Sequence, residues 1–517
     1  MLARTHSAGL LGIEGYVVTV EADVGLGLPC LTLVGQVTGA LDEARERVRS
    51  ALNHCGHAVP PRKQIVNLAP SEQRKDSPGV DLAIACALLA AHGVVPAESL
   101  AGMLLWGELS LDGTLRPALG TLIVADLARK QGFARLAITA TSAGEAAQIP
   151  ELDVLPITTL PQLVAHLRGE AAIAPLAREA FVQAANSRPD TAPDMADIRG
   201  LLLARRALEI MLAGGHNLLL HGPPGVGKTM LARRVAGLLP ELDDEQALEV
   251  TKIHGVAHRR LPAGLVRQPP LRMPHHSVSA AGLLGGGTPP RPGEVTLAHR
   301  GVLFLDELPE FPRSCVEGLR EPLEDGAVTI VRARHALHFP ARFQLLAAMN
   351  PCPCGWLGHP ERACVCSPAA VQRYQSRVSG PFLDRIDLVV PVEPLARDEL
   401  AAAGPGEPSA PIRARIAAAR QRARTRLANT PWISNAEIPA SGEAIERLCP
   451  LSSGARTMLL GVAARKQLSM RALHRMRRVA RTLADLDVEH DPDRPIDVAH
   501  VAAAVRMRQL PDTLSAE

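Results

Sequence analysis

The residues Gly222-Pro223-Pro224-Gly225-Val226-Gly227-Lys228-Thr229 constrain this chain more than any other stretch. A short apolar run, Asn217-Leu218-Leu219-Leu220-His221, reads as a buried strand before them, and Met230 to Ala236 reads as a helix after them. Strand, glycine-rich turn and helix together make a phosphate cradle. The glycines let backbone N–H groups converge on one anion, and the helix N-terminus adds partial positive charge. Lys228 is placed to reach the β- and γ-phosphates of a nucleotide, and Thr229 to offer its hydroxyl to Mg²⁺.

A second run, Val302-Leu303-Phe304-Leu305, predicts another buried strand, ending in Asp306 and Glu307. Carboxylates at the end of a buried strand are costly unless they meet a cation. Asp306 is expected to hold Mg²⁺ through its water shell, and Glu307 to polarise the attacking water. A third strand, Phe343 to Met349, ends at Asn350, whose amide suits alignment of the same water; the competing reading is an Asn that caps a turn before Pro351.

Composition narrows the remaining choices. A chain of 517 residues is expected to hold more than one domain. The formal charge of +3 provides no global field for nucleic acid, so any such contact must use local patches. No apolar run reaches the length of a membrane span and no cleavable leader is evident at the N-terminus, which predicts a soluble, cytoplasmic protein with reduced cysteines. Cys352, Cys354, Cys364 and Cys366 form two close pairs around a short loop, a set able to enclose Zn²⁺ tetrahedrally, with His359 as a substitute ligand. The C-x-C spacing is tighter than the usual C-x₂-C, and reduced structural thiols or a redox switch are the alternatives. Burial is the expectation for the other cysteines.

Residues 1–170 mix strand and helix patterns and predict an α/β or α+β domain. The segment from 171 to 195 and Gly404-Pro405-Gly406-Glu407-Pro408 read as linkers, which places an ATPase core at 196–395 and a helical unit at 412–512.

The chain resembles the AAA+ ATPases of the magnesium-chelatase clade, and within them the ComM/YifB family. The resemblance rests on the phosphate loop preceded by Gly214-Gly215-His216-Asn217, on Pro274-His275-His276-Ser277 and on Pro290-Arg291-Pro292-Gly293-Glu294. It continues through Pro351-Cys352-Pro353-Cys354-Gly355 and Ser379-Gly380-Pro381-Phe382-Leu383-Asp384-Arg385-Ile386-Asp387. It covers nearly the whole chain and implies an α/β AAA+ P-loop core with a helical C-terminal lid. ATP and Mg²⁺ are the implied cofactors, and a homo-oligomer, a hexamer, the implied assembly. Arg385 matches the finger that enters a neighbouring subunit's nucleotide site, the alternative being an ion pair with Asp384 or Asp387. Arg471 matches the second sensor, the alternative being a solvated basic face shared with Arg475, Arg477, Arg478 and Arg481. Leu201 departs from the family, which usually carries Gln after Arg199-Gly200.

Residues 1–170 look like the proteolytic domain of the Lon protease, itself related to a ribosomal-protein fold, through Lys75 to Val80 and Trp106 to Pro117. Gly79 stands where Lon has its Ser nucleophile and Leu122 where it has its Lys. A non-proteolytic docking or assembly domain is therefore expected. Two segments are candidates to touch a threaded polymer. Leu283 to Thr288 reads as a flexible loop where the clade carries an insert facing the ring pore. Val328 to Phe339 reads as a hairpin with Arg332 and Arg334 near its tip, suited to branched or single-stranded DNA backbone. The family resemblance implies a motor, a DNA branch-migration helicase in natural transformation. A metal-insertion motor of chelatase type and an adaptor or scaffold are the alternatives.

Overall fold

The computed structural model describes residues 2–35, 39–57, 60, 62–73, 75, 77–176, 193–258, 264–287, 290–332, 335–394, 404–440 and 442–508. The chain divides into two compact units, Met1–Arg188 with Asp244–Val266, and Pro189–Asp243 with Arg267–Glu517. Among the described residues no helix is long and apolar enough to cross a membrane.

The first unit is built on β1 Leu2–Leu11, β2 Glu14–Gly25, β3 Cys30–Val34, β4 Lys63–Ala69, β5 Met103–Trp106, β8 Arg135–Thr139 and β9 Asp153–Ile157, ordered β3-β4-β2-β1-β5-β8-β9. The short β6 Glu108–Leu109 and β7 Leu115–Arg116 form a separate antiparallel pair. β1 pairs antiparallel with β2 from Leu2↔Asp23 to Leu11↔Glu14, whereas β5, β8 and β9 run parallel. Helix Asp81–Ala91 is buried along its whole length and packs on β1 and β2, as its apolar run requires.

The two stretches that resemble Lon meet in this unit. Gly107 N–H donates to Gly79 O at 2.9 Å, and a Cβ on Gly79 would lie 2.5 Å from the Trp106 ring. A side chain at 79 has no room, so no nucleophile fits there without displacing the indole. Lys75 is buried, its ammonium donating to the carbonyls of Gly35 and Pro70, and the Ser77 hydroxyl accepts from Gly79 N–H at 3.4 Å. Leu122 is buried in helix Thr121–Lys130.

Helix Asp244–His258, which in sequence interrupts the nucleotide-binding half, packs in this first unit. Leu248 enters its core, and Lys252 Nζ lies 2.7 Å from Asp126 Oδ2. Burial opposes the Asp126 charge, but Lys252, with help from Lys130 and Arg129, outweighs it and holds the carboxyl down to about 2.

The second unit carries a parallel sheet ordered β11-β14-β17-β10-β18, from β10 Leu218–His221, β11 Leu271–Arg272, β14 Val302–Leu305, β17 Gln344–Met349 and β18 Leu388–Pro391. Continuous apolar runs suit strands covered on both faces. The helices after Ser409 share one core with this sheet: Ile412, Ile416 and Leu427 cluster with Leu218, Leu220 and Val235. The linker at Gly406 is fastened through its N–H to Ala196 O at 2.8 Å.

Two expectations and one alternative reading need correction. Leu283 is fully buried at the end of a short helix, and Gly285–Gly286 (β12) pairs with Arg291–Pro292 (β13), so the described part of this segment is a built hairpin rather than a free loop. Cys30 is exposed, whereas Cys86, Cys315 and Cys449 are buried. Helix Met470–Leu486 is no solvated basic face: Arg475, Arg477 and Arg481 are buried. Arg481 and Arg426 both donate to Asp485, at 2.9 and 2.7 Å, and Asn435 Nδ2 adds a bond of 2.8 Å. Arg477 is spent on Glu446 and the Cys449 carbonyl.

Asp485→Ala should therefore leave two guanidinium groups short of their counter-charge and cost about 3–5 kcal/mol. The measurement is the denaturant midpoint of the full chain. Arg456→Ala, which removes an exposed partner of Glu446, should cost less than about 1 kcal/mol.

Candidate nucleotide-hydrolysis site

β10, β14 and β17 lie side by side and parallel, with Leu218↔Leu346 and Phe304↔Leu346 in register. Their C-terminal ends therefore finish on one edge, where ligands bind in open α/β sheets. β10 runs into the glycine-rich turn. Gly227 sits at φ 97° and caps helix Lys228–Leu238, a left-handed conformation that a side chain resists. This turn sends Lys228 back over its own loop.

The Lys228 ammonium is buried and meets three acceptors: Gly222 O at 2.6 Å, Pro223 O at 2.8 Å and Asn350 Oδ1 at 3.1 Å. Three N–H donors are thus matched by three oxygens. Burial nonetheless pulls the lysine down to about 8, against the opposing pull of Asp306 and Glu307. The Thr229 hydroxyl donates to Asp306 Oδ2 at 2.5 Å, and Asp306 Oδ1 accepts from Glu307 N–H at 3.0 Å. The side chains suited to hold Mg²⁺, Thr229 and Asp306, thus already share one position.

Glu307 adopts φ 54°, a conformation that costs a non-glycine residue roughly 1–3 kcal/mol. The reversal turns its half-exposed carboxylate away from the strand, with Oε2 at 3.3 Å from His276 Nδ1. His276 was quoted above only as part of a family segment. Nothing in the sequence pairs it with Glu307, because the pairing is made by the fold. Asn350 does more than cap a turn, since its amide oxygen faces Lys228. Leu201 sits at φ 50° before helix Leu202–Gly214, and a Cβ on Gly227 would lie 3.4 Å from its Cδ1. The loop thus has an apolar neighbour where the family usually places an amide.

Arg385 and Arg471 lie apart from these contacts. The Arg385 guanidinium pairs with Glu324 and donates to Pro381 O at 2.5 Å. The aspartates offered above as its partners have others: Asp384 pairs with Arg475 at 3.4 Å, and Asp387 with Arg478 at 3.4 Å and His216 Nδ1 at 3.6 Å. Burial opposes the Asp387 charge, yet His216 and Arg478 prevail and hold its carboxyl well below the usual range. Arg471 is exposed in the first turn of helix Met470–Leu486.

The hairpin read between Val328 and Phe339 is present as β15 Ala327–Arg332 and β16 His335–Pro340, antiparallel, closing at Arg332↔His335. Arg334 and the Arg332 side chain lie outside the described residues.

Beyond Asn350 the four cysteines converge. Cys352, Cys354 and Cys364 place their sulfurs 3.4 to 3.6 Å apart, and Cys366 joins them with every pair of sulfurs within 4.8 Å. Disulfide sulfurs lie at about 2.05 Å. Thiolates bound to zinc at about 2.3 Å would sit about 3.8 Å apart, close to the spacing found. Backbone N–H groups of Trp356 and Val365 hold the Cys354 thiol down to about 6, whereas burial pushes Cys352 up and Cys364 and Cys366 also lie above the usual thiol value. The donor set fits a tetrahedral soft-metal site. His359 is not part of it, since its Nδ1 accepts from the N–H groups of Glu361 and Arg362, both at 3.1 Å.

Fold and site together define a P-loop ATPase of magnesium-chelatase type. A family model described as magnesium chelatase, subunit ChlI, matches residues 194–400, its C-terminal counterpart matches 406–508, and one described as subunit ChlI of Mg-chelatase matches 20–142. YifB of Escherichia coli, itself uncharacterized, is 41% identical over 494 residues, 94% of each chain. Competence protein ComM of Haemophilus influenzae is 40% identical over 512 residues, 98% of each chain. The magnesium-chelatase 67 kDa subunit of Chlorobaculum tepidum is 27% identical over 203 residues, 38% of this chain and 26% of its own. This chain belongs to the ComM/YifB family of magnesium-chelatase-like AAA+ proteins. The family implies ATPase activity, with ATP and Mg²⁺ as cofactors.

The site generates two expectations. Polyphosphate brought against Lys228 raises the lysine's proton affinity, so nucleotide binding should take up a proton near pH 8. ATP affinity should be full below about pH 8 and fall by up to about tenfold per unit above it. Titrations with a fluorescent ATP analogue across this range, and calorimetry in buffers of differing ionisation heat, check both. Glu307→Gln should keep nucleotide affinity while turnover drops about 10²-fold or more, as befits loss of a group acting on water. Unchanged turnover would remove Glu307 from the chemistry.

Proposed function

We propose that this protein is a ring-forming, ATP-driven motor that remodels branched or single-stranded DNA, a branch-migration helicase of the kind that promotes recombination during natural transformation. One observation carries the reading. Lys228, Thr229, Asp306, Glu307 and Asn350, the residues expected for nucleotide hydrolysis, are linked by direct contacts in a chain that aligns over 98% of its length with a protein named for competence. The cradle of Gly222, Pro223, Pro224, Gly225, Val226 and Gly227 grips the triphosphate and Lys228 balances its charge. Thr229 and Asp306 hold Mg²⁺, which when bound supplies further charge neutralisation. Glu307 accepts the proton of the attacking water, with Asn350 aligning it.

The assembly proposed is a homo-hexamer in which Arg385 completes the neighbouring subunit's site and Arg471 senses the γ-phosphate from the lid. Its domains are a core at 196–395, a helical lid at 412–512 and a Lon-like domain at 1–170. The sealed position at Gly79 supports a docking rather than a proteolytic role for the last. Zn²⁺ in the four-cysteine loop and a cytoplasmic location complete the reading. Arg332 and Arg334, which the sequence puts near the turn of the β15–β16 hairpin, would contact the DNA backbone. Scarce aromatic residues, 2% of the chain, make base stacking a poor alternative.

A chelatase-type metal-insertion motor is the second reading, favoured by the chelatase description of the family model at 20–142. Turnover measured with forked DNA, four-way DNA or a porphyrin separates the two. DNA should stimulate hydrolysis, and the protein should move a junction only with hydrolysable ATP. Arg332→Ala with Arg334→Ala should weaken stimulation and flatten its salt dependence while basal turnover persists. Stimulation by porphyrin, with no DNA binding at low salt, would replace the DNA reading by the second.

A further inference from the structure

The loop that carries the four cysteines starts two residues after Asn350 and returns through helix Pro368–Gln375. Both ends are tied. Gln375 Nε2 donates to Pro351 O at 2.9 Å, which closes the base of the loop beside Asn350. Cys352 is fully buried against the sheet unit. Between the cysteine pairs the chain turns at Gly355, φ 83°, and here it lies against the phosphate loop. A Cβ on Gly355 would fall 2.6 Å from Pro224 Cδ and 3.0 Å from Pro224 Cγ. One connected stretch therefore touches the nucleotide cradle twice, through Asn350 on Lys228 and through Gly355 on Pro224.

The loop has little else to hold its shape. Across Cys352 to Cys366 its apolar side chains are few and partly outward: Val365 is 85% exposed and Leu357 37%. Trp356 is spent on Arg362, whose guanidinium lies 4.4 Å from the ring centroid. A segment this poor in buried apolar area does not order itself by hydrophobic burial. Four sulfurs within 4.8 Å of one another supply the alternative, a metal cross-link.

We propose that the four-cysteine loop is a positioning element of the ATP site: metal held by Cys352, Cys354, Cys364 and Cys366 keeps Gly355 packed on Pro224 and Asn350 directed at Lys228, so that ATP binding depends on metal occupancy. Gly355 and the cysteines are positioning residues, acting through Pro224 and Asn350. The inference rests on the metal-binding reading given above. It adds that the metal serves the nucleotide site and not merely the stability of a distant loop.

The full-length protein, purified without strong chelator, is tested by metal analysis and by titration with a fluorescent ATP analogue, Mg²⁺ being kept in large excess. About one zinc per chain is expected. Removing it with a thiol-reactive mercurial and a chromogenic chelator should weaken nucleotide binding by about 10- to 100-fold, the scale of misplacement by an ångström. Reduction and zinc addition should restore it. Cys364→Ser should lose the metal and weaken binding to the same extent, with circular dichroism showing the rest of the chain folded. Gly355→Ala separates positioning from metal loss, because it should keep its zinc and yet bind ATP more weakly.

Zinc present, but nucleotide affinity unchanged within about twofold on its removal and in Gly355→Ala, would overturn the positioning role and leave the metal site standing. A protein without zinc whose four thiols react freely would overturn the metal reading and the inference with it. Should Cys364→Ser fail to fold, reversible metal removal and Gly355→Ala still decide.

Discussion

The parallel alignment of β14, β17 and β10 is the constraint on which the rest of the nucleotide-binding unit depends. In register, these strands end together, and each end delivers one chemical group: Asp306 from β14, Asn350 from β17 and, one turn later, Lys228 from β10. A slip of one residue would send the buried Leu218, Leu346 and Phe304 to the opposite face. The apolar packing that sets the register therefore also sets the distances between the functional groups. The 3.1 Å contact between Lys228 and Asn350 joins residues 122 apart in sequence.

Burial then decides how those groups behave. Lys228 is out of water, and three acceptors keep its ammonium inside while burial still lowers its proton affinity. Such a lysine gains more from an arriving phosphate than an exposed one, because the low-dielectric surroundings strengthen the new attraction. Glu307 is the converse case. Its positive φ carries the carboxylate out of the strand and leaves it half-exposed beside His276, where water has access. A lysine held in protein and a glutamate held at the solvent edge are the two environments that the proposed hydrolysis of a bound anhydride requires.

The sequence was legible where local pattern and chemistry coincide. The apolar runs at 218–221, 302–305 and 344–349 are strands, and the acids and amide at their ends are where the spacing put them. It was misleading where the outcome turned on burial by distant elements. Arg475, Arg477 and Arg481 look like a basic face along the helix, yet Asp384 and Glu446 take up the first two from elsewhere in the chain, and Asp485 takes up Arg481 one turn along the same helix. Leu283 to Gly286 reads as flexible from its glycines, but those glycines allow close pairing with Arg291–Pro292. The insertion of Asp244–Val266 into the first unit had no local signal at all, since it depends on Asp126 and on apolar surface more than a hundred residues upstream.

The segment Asp384-Arg385-Ile386-Asp387 shows how such burial sorts neighbouring charges by role. Asp387, itself 5% exposed, meets Arg478 of helix Met470–Leu486 and the fully buried His216, whereas Asp384, 53% exposed, meets the buried Arg475. Removing Asp387 would leave Arg478, 12% exposed, without this buried counter-charge, a cost of several kcal/mol. Arg385 instead meets Glu324, whose side chain is 56% exposed. An ion pair with one partner in solvent is worth about 0–1 kcal/mol, since water readily replaces the carboxylate. Asp387 is therefore a fixed anchor of the helical part, while Arg385 is held by a contact that a phosphoryl group, more highly charged than a carboxylate, can outcompete.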